Sequence, residues 1–267
     1  MATARALMAS PESSAERPHG AQPSHEAVRV LGIPFAALTP DDVVARVRTM
    51  LADGGSHQIV LANANTLNLA RRDPVYRRAL EQATLVLRDG VGVEIAARLH
   101  KQRLVHNFVG TDFVPMLLRA LAAPRVGVFL YGARPGVAAE AAPALTRLGP
   151  GIDVVGVEDG YGDAEEVVRR VQAARADVLL VALGNPQQEQ WIADNLARLH
   201  VRVAIGVGAL FDFLAERVPR APQWMRRARL EWVYRLYREP RRLWRRYVIG
   251  NAEFLWHVVR ASRSERT

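Results

Sequence analysis

Short apolar runs alternate with helical patterns along the chain from about residue 28 to residue 207. The apolar runs are rich in Val, Ile and Leu and predict strands, whereas the segments between them carry apolar residues at helical spacing. Strands that alternate with helices predict an α/β fold, a Rossmann-like, mainly parallel sheet flanked by helices. The predicted strands are 28–33, 58–62, 84–87, 126–131, 153–157, 177–183 and 201–207, and the predicted helices include 41–54, 73–83 and 186–199.

The two ends of the chain differ in composition from this α/β body. Residues 1–26 mix Pro, Ser, Ala and charges without an apolar run, which is typical of a disordered leader and lacks the apolar middle of a signal peptide. Residues 216–267 hold 14 Arg and 5 Glu, so the whole net charge of +9 lies there and the preceding part is neutral. We therefore predict a leader at 1–26, an α/β catalytic domain at 27–215 and a basic, aromatic, helical C-terminal appendage at 216–267.

Arginines alternate with large aromatic residues throughout the appendage. Guanidinium groups match phosphate oxygens, and Trp and Tyr favour the headgroup region of a bilayer. The same combination also binds single-stranded nucleic acid. The composition thus leaves phosphate, membrane and nucleic acid open as ligands of the appendage. No run reaches the roughly 20 apolar residues of a spanning helix, so we expect the chain not to cross a membrane.

The residue types disfavour several kinds of catalysis. The chain has no cysteine, which excludes disulfides, thiolate nucleophiles and cysteine metal sites. Outside the leader and the last few residues the one serine is Ser56, and no GxSxG elbow surrounds it. The histidines lack metal-ligand spacing and no D-x-D motif occurs, so we expect no metal ion and no other cofactor.

An aspartate follows the predicted strand 84–87, where an open α/β sheet binds its ligands. Asp89 precedes Gly90 and Gly92, and such glycines allow a ligand to approach the backbone. Two roles are open to the Asp89 carboxylate, that of a general base and that of a cap for the helix that begins near Val91.

Two other loops carry polar or glycine residues after predicted strands. Asn63, Asn65 and Asn68 follow the strand 58–62, and they either bind the hydroxyl or amide groups of a sugar or cap the chain. Gly132 opens the loop GARPG, which either holds a phosphate against a helix N-terminus or is a tight turn.

The loop GNPQQE, residues 184–189, begins the predicted helix 186–199. A proline suits the first turn of a helix, and Glu189 near that end compensates the helix dipole. The two amides beside it, Gln187 and Gln188, exceed what capping requires, so we count Gln188 and Glu189 among the candidate substrate-binding residues.

These motifs occur in an order that resembles one bacterial enzyme family. An Asn-rich loop is followed by DGVG, VGTDF, GNPQQEQW, GALFDFLAERVPRAP and LEWVYRLYREPRR. Over roughly residues 28–257 this order resembles the WecG/TagA/CpsF glycosyltransferases. The resemblance implies a Rossmann-like GT-E fold and an inverting, metal-independent sugar transfer.

The resemblance also implies the substrates and the location. Members of the family use a UDP-activated sugar, typically N-acetylmannosamine or its uronic acid, and an undecaprenyl-diphosphate-linked GlcNAc acceptor. We therefore expect a hexosyltransferase of cell-surface polysaccharide synthesis, cytoplasmic and peripheral at the inner face of the bacterial plasma membrane. Its expected partners are the UDP-sugar, the polyprenyl-diphosphate-linked acceptor and the membrane surface, which the appendage touches. We expect no nucleic acid, and monomer and oligomer both stay open.

By match to the family's motifs, the resemblance assigns roles to single residues. Asp89 of DGVG would deprotonate the acceptor hydroxyl, and Gln188 would contact substrate. Arg235, Arg242 and Arg245 would meet the diphosphate. With Arg220, whose role is structural or phosphate-binding, the candidate substrate-binding residues are Asn63, Asn65, Gly90, Gly132, Gln188, Glu189, Arg220, Arg235, Arg242 and Arg245.

The chain departs from the family's usual residues at three positions, Leu61, Asn107 and Glu216. The first two lie near the expected sugar pocket, so they bear on the donor sugar and not on the reaction type. Two other classes of protein fit parts of the sequence. A sugar-nucleotide epimerase or dehydrogenase would suit the sheet, although GxGxxG and a Tyr-x-x-x-Lys pair are missing, and a nucleic-acid or anionic-lipid binding module would suit the appendage.

Overall fold

The first predicted strand is a hairpin and not a strand of the main sheet. The computed structural model describes residues 27–228 and 230–264, apart from the side chains of 227, 242, 263 and 264, so the predicted leader at 1–26 lies outside the described residues. Strands β1 (Ala27–Val30) and β2 (Ile33–Ala36) pair antiparallel in a separate two-stranded sheet. Leu31 and Gly32 between them have φ angles of 50° and 87°, which is the geometry of a tight hairpin turn. The prediction of one strand over 28–33 was wrong because both arms of the hairpin are apolar.

The other six predicted strands form one parallel sheet. They are β3 (His57–Ala62), β4 (Leu85–Arg88), β5 (Val126–Gly132), β6 (Ile152–Glu158), β7 (Val178–Ala182) and β8 (Val203–Gly206). Their order across the sheet is β4-β3-β8-β7-β5-β6, and every neighbouring pair is parallel. All strands therefore end at the same edge, where the loops that carry the candidate residues lie.

Helices connect the strands and continue into the appendage, as predicted. Thr39, Asp73 and Asp163 cap three of them through side-chain oxygens that accept backbone N–H groups. The helices are α1 (Pro40–Ala52), α2 (Ala64–Arg72), α3 (Pro74–Gln82), α4 (Val91–Leu99), α5 (Gly110–Leu121), α6 (Val137–Thr146), α7 (Ala164–Ala174), α8 (Gln187–Leu199), α9 (Leu210–Leu214), α10 (Gln223–Arg227), α11 (Glu231–Arg238), α12 (Pro240–Trp244), a π-helical segment (Arg245–Ile249) and α13 (Gly250–Ser264).

Apolar side chains fill both faces of the sheet. Helices α1, α5, α6 and α9 cover one face. On the other face, α7 and α8 cover β5, β7 and β8, whereas the hairpin, α2, α3, α4 and α13 cover β3 and β4. The prediction of a mainly parallel sheet flanked by helices is thus confirmed.

The last helix of the appendage is part of the second of these layers. Phe254 and Val258 of α13 are fully buried in the same cluster as Val60 and Val93. The side-chain amide of Asn68 also donates a hydrogen bond of 2.7 Å to the Gly250 carbonyl, which ties α2 to the start of α13. Within residues 27–228 and 230–264, none of the helices is long and apolar enough to span a bilayer.

Candidate functional site

Asp89 stands at the carboxyl end of β4 and is partly buried. Its backbone N–H donates to the Ala62 carbonyl at 2.8 Å, which holds the loop beside the end of β3. The N-cap of α4 is Gly90, and the hydrogen bond to the Asp89 carboxylate comes from the amide of Asn63, at 3.4 Å. Of the two roles that the sequence left open, this geometry favours a carboxylate aimed at a ligand over a helix cap.

Asn63 is itself the N-cap of α2. Its side-chain oxygen accepts hydrogen bonds from the backbone N–H groups of Asn65 and Thr66, at 3.1 and 3.3 Å. With the oxygen held by the helix, the amide nitrogen is left to face Asp89. Asn63 therefore caps α2, one of the two roles that the sequence left open, and also contacts the Asp89 carboxylate. A contact with sugar stays a prediction. Asn65 is half-buried in the first turn of the same helix.

The surroundings of Asp89 have opposing effects on its pKa. Burial is the largest influence and raises the pKa of Asp89 to about 6. The Asn63 hydrogen bond and the charges of Arg246 and Arg235 lower this pKa, and the charge of Glu231 raises it. The carboxylate is thus more basic than an ordinary aspartate and is still mainly ionised at neutral pH.

A fully buried arginine supports the loop from below. The Arg88 guanidinium donates to the Glu94 carboxylate at 2.8 Å and to the Gly90 carbonyl at 3.1 Å. It also donates to the carbonyls of His106 and Val105, at 2.9 and 3.0 Å. These bonds fix the chain on both sides of Asp89 and tie it to the segment before α5.

Asn107, one of the departures from the family's usual residues, belongs to that segment. Its side-chain oxygen accepts a 2.7 Å hydrogen bond from the backbone N–H of Gly90. Gly90 has a φ of 93°, a conformation that other residues rarely adopt. The Asn107 bond therefore holds the backbone next to Asp89 in this conformation.

A cleft of about 620 Å³ opens beyond the ends of β5 and β7, between the body and the appendage. Its volume lies in the range of small-molecule sites. It runs beside a smaller pocket of about 220 Å³ that is bounded by Tyr234 and Arg238. The cleft is lined by Ala133, Arg134, Val137, Gly160, Tyr161, Ala182, Leu183, Gln187, Ala209, Asp212, Arg217, Val218, Arg235 and Glu239.

The GARPG loop forms one wall of this cleft. Gly132, the last residue of β5, has a φ of 116°. A Cβ atom there would lie 2.6 Å from the Ala182 carbonyl carbon, a distance that real side chains do not tolerate. The glycine thus lets two strand ends approach closely, and Ala133 and Arg134 after it face the cleft. The tight turn that the sequence offered is present, on the wall of a cavity.

Arg235 joins the cleft to Asp89. It lines the cleft, its charge acts on Asp89, and its guanidinium carbon lies 5.5 Å from the Phe213 ring centroid. The Nε atoms of Arg235 and Arg246 are buried and have no hydrogen-bond partner among the described residues. Two guanidinium groups whose charges act on one carboxylate form a positive environment that suits an anionic ligand.

The other predicted arginines lie in different surroundings. Arg220 donates to the Asp112 carboxylate at 2.7 Å and to the Thr111 hydroxyl at 3.1 Å, so it ties the appendage to the start of α5. Arg245 is exposed. The side chain of Arg242 lies outside the described part of the chain.

Gln188 and Glu189 are buried beneath the loops that follow β7 and β8. The Gln188 side-chain oxygen accepts hydrogen bonds from the backbone N–H groups of Gly184 and Gly208, both at 3.1 Å. The Glu189 carboxylate accepts from the Tyr76 hydroxyl at 3.0 Å, from the Asn185 amide at 2.9 Å and from the Gln188 amide at 2.6 Å. Both side chains therefore hold the loops after β7 and β8, and a direct contact with substrate stays a prediction.

Burial raises the pKa of Glu189 to about 7. The hydrogen bonds from Gln188, Tyr76 and Asn185 act in the opposite direction. The carboxylate is only 1% exposed, so its charge is stabilised by these donors in place of water.

Sequence reasoning missed two arginines of the site. Arg88 follows an apolar strand without any motif that marks it as buried. Arg246 belongs to the π-helical segment, whose wider turn changes the face on which each residue falls. A periodic pattern of 3.6 residues thus gave no signal that Arg246, and not its neighbour Arg245, lies near Asp89.

Comparison with known proteins identifies the family. Residues 28–267 match the model of the Glycosyl transferase WecG/TagA/CpsF family. The chain belongs to this family. It is a glycosyltransferase, as the motifs indicated. The residues around Asp89 form the candidate active site.

Several relatives share the name N-acetylglucosaminyldiphosphoundecaprenol N-acetyl-beta-D-mannosaminyltransferase. The one from Bacillus spizizenii strain W23 is 38% identical over 207 residues, which cover 77% of this chain and 80% of the relative. The one from Staphylococcus aureus strain MRSA252 is 30% identical over 240 residues, which cover 88% of this chain and 93% of the relative. These matches confirm the predicted enzyme class, hexosyltransferase.

Proposed function

We propose that this glycosyltransferase moves N-acetylmannosamine, or a related hexose or uronic acid, from a UDP-sugar to an undecaprenyl-diphosphate-linked GlcNAc. The named relatives support this choice of sugar and acceptor. The observation that carries the proposal is Asp89, a carboxylate of raised pKa at a strand end, within the field of two appendage arginines. Such a carboxylate suits general-base catalysis better than a structural role.

In the proposed reaction, Asp89 takes the proton of an acceptor hydroxyl as its oxygen attacks the anomeric carbon. A new carbon–oxygen bond forms on one face of the donor sugar, and the bond to the UDP oxygen breaks on the other. The electron pair leaves with UDP, so the configuration at the anomeric carbon inverts. One carboxylate is enough for this single displacement, provided that the charge on the leaving diphosphate is stabilised.

Arginines of the appendage are the proposed stabilising groups. Arg235 lines the cleft, and the charges of Arg235 and Arg246 both act on Asp89, so two guanidinium groups lie near the proposed base. Fixed cations at a developing negative charge lower the barrier without reorganisation. We propose that they take the role that a metal ion has in other sugar-nucleotide enzymes. The described residues contain no group of three or more His, Asp or Glu side chains that could hold a metal ion.

A lipid-linked acceptor requires the enzyme to work at a membrane surface. Trp244, Trp256 and Tyr237 of the appendage are at least half exposed, and such residues favour the bilayer interface. We therefore propose a peripheral enzyme at the inner face of the plasma membrane, attached through the appendage.

The proposal is tested by incubating the protein with a panel of UDP-sugars and a GlcNAc-diphosphate-lipid acceptor, and weighing the product. We expect one added N-acetylhexosamine or hexuronic acid, with full activity in EDTA. Asp89→Asn is expected to lose about 10²–10⁴-fold in kcat while it still binds UDP. Near-normal turnover by Asp89→Asn would remove Asp89 from the chemistry, and no product with any donor would refute the proposed transfer.

A further inference from the structure

Helix α4 exposes an apolar row directly after the active-site loop. Val91, Ile95 and Leu99 are 38%, 41% and 39% exposed, although α4 belongs to the body and not to the appendage. They follow one another at intervals of four residues, so they lie along one side of the helix. The opposite side, with Val93 and Ala96, is buried in the core.

This row lies next to the side of α4 that packs against α13. A Cβ atom on Gly92 would lie 3.7 Å from the Phe254 ring, so this side of α4 meets α13. Leu99 follows Gly92 by two turns and lies on nearly the same side. Leu99 is therefore turned toward α13, and Ile95 lies between Leu99 and Val91 on the surface beside it.

On α13 the apolar residues are turned toward α4. Glu253 faces α2, where it pairs with Arg72. By helical periodicity, Leu255 and Val259 lie on the flank away from α2, next to the buried Phe254 and Val258 that pack near α4. Leu255 and Val259 are 39% and 38% exposed. The α4–α13 face is defined by these residues together: Val91, Ile95, Leu99, Leu255 and Val259.

Cations and an aromatic residue border the α4–α13 face. Arg98, Lys101 and Arg103 are exposed at the end of α4 and just beyond it. On α13, the Arg260 guanidinium carbon lies 5.4 Å from the Trp256 ring centroid, and Trp256 is 56% exposed. Apolar side chains with cations and Trp beside them are the composition of surfaces that lie in the interface of an anionic bilayer.

We propose that the α4–α13 face inserts into the surface of an anionic bilayer, so that both the α/β body and the appendage contact lipid. The face begins at Val91, two residues after Asp89. Insertion would hold the catalytic carboxylate at the level of the lipid headgroups, where a lipid-linked diphosphate lies. The purpose of the face rests on the proposed function, but its contact with lipid is independent of catalysis.

The test measures the binding of the full-length protein to vesicles of equal parts phosphatidylglycerol and phosphatidylcholine. We expect the double variant Ile95→Glu, Leu255→Glu to bind at least about tenfold more weakly, since two apolar contacts with lipid are lost. The matched control is Val75→Glu on α3, which is 53% exposed and lies outside the face. It is expected to bind as the wild type does.

A gain-of-binding variant guards against misfolding of the double variant. Ile95→Trp is expected to bind the same vesicles more tightly than the wild type, because Trp favours the interface. Wild-type vesicle binding by the folded double variant would overturn the proposal. If light scattering then shows that this variant has dissociated a dimer, the α4–α13 face is a contact between two copies of the chain.

Activity on a water-soluble GlcNAc-diphosphate acceptor separates this inference from the proposed function. The double variant is expected to keep the wild-type rate on that acceptor and to lose rate on vesicle-embedded lipid acceptor. A wild type that binds vesicles through this face but transfers no sugar would refute the transfer and leave the lipid contact standing.

Discussion

The amide nitrogen of Asn63 lies 3.4 Å from the carboxylate of Asp89 and so joins the ends of two neighbouring strands, β3 and β4. The same Asn63 caps α2 through its oxygen. Capping of α2 therefore orients the Asn63 amide, which stabilises the charge on Asp89 at the end of β4. Because the hydrogen bond favours the ionised carboxylate, it adjusts the basicity of the proposed catalytic group.

Asn63→Ser separates these two duties of Asn63. Serine still caps the helix but cannot reach Asp89 with an amide. We expect kcat at neutral pH to fall about fivefold, the equivalent of one hydrogen bond, with little change in melting temperature. Because the lost bond had lowered the pKa of Asp89, the acid limb of the pH–rate profile moves to higher pH. An acid limb at the wild-type position would show that Asn63 does not act on Asp89.

Asp89→Asn is expected to stabilise the fold at neutral pH. Burial raises the pKa of Asp89 to about 6 from an ordinary value of 3.8, so the folded state binds this proton more tightly than the unfolded state does. The protonated carboxyl therefore favours folding, and this contribution is fully present below its ordinary pKa. It is lost as the pH rises through about 6, so at neutral pH the buried charge destabilises the wild type. The melting temperature of the variant should therefore exceed that of the wild type at neutral pH. The difference should vanish below about pH 4, and a difference that does not change with pH would contradict the raised pKa.

Arg246→Ala is expected to lower kcat/KM about 10- to 100-fold, the cost of a charged hydrogen bond to a diphosphate. The matched control is Arg241→Ala, because Arg241 is exposed on the neighbouring helix. That variant should stay within about threefold of the wild type. UDP binding by calorimetry should fall in parallel with kcat/KM. A larger loss for Arg245→Ala would mean that the family motif, and not the geometry of the π-helical segment, identifies the arginine that meets the diphosphate.

Tyr76→Phe is expected to destabilise the protein by about 1–3 kcal/mol, because it leaves the buried Glu189 carboxylate without one of its donors. Tyr237→Phe serves as the control, since Tyr237 is 82% exposed, and should leave the free energy of unfolding unchanged. Urea denaturation measures both. The pKa of Glu189 is about 7 in the wild type, and the loss of a donor raises it, so the deficit of Tyr76→Phe should grow as the pH rises. A constant deficit would indicate lost packing and not a lost hydrogen bond.

The sequence predicted the parts of the molecule that rest on local pattern. Six of the seven predicted strands occur in the parallel sheet, and Asp89 lies at a strand end because an apolar run stops directly before it. Asn63 was recognised as polar and well placed, but its double duty depends on Asp89, 26 residues away. Local spacing carries no information about which group a side chain meets across the sheet.

The remaining features are not marked by a simple apolar or helical pattern. The turn at Gly32 lies between two apolar arms that read as one strand. The π-helical segment changes the face presented by Arg246. The sequence of α13 reads as a basic, aromatic surface helix, and only the packing of Phe254 against α4 reveals it as a core element. For α13 a partner that is distant in sequence decides the outcome, whereas the hairpin and the π-helical segment are local departures from the expected strand and helix.

The burial of Phe254 and Val258 also sets the order of events during synthesis. The core cluster that they complete begins with Val28 and includes Val93 of α4, which follows Asp89 by four residues. More than 150 residues separate Val93 from Phe254, so a nascent chain leaves this side of the sheet uncovered until α13 has emerged from the ribosome. Closure of this core cluster is then a late, post-emergence step, and a chain stalled before Phe254 would present its apolar surface to chaperones.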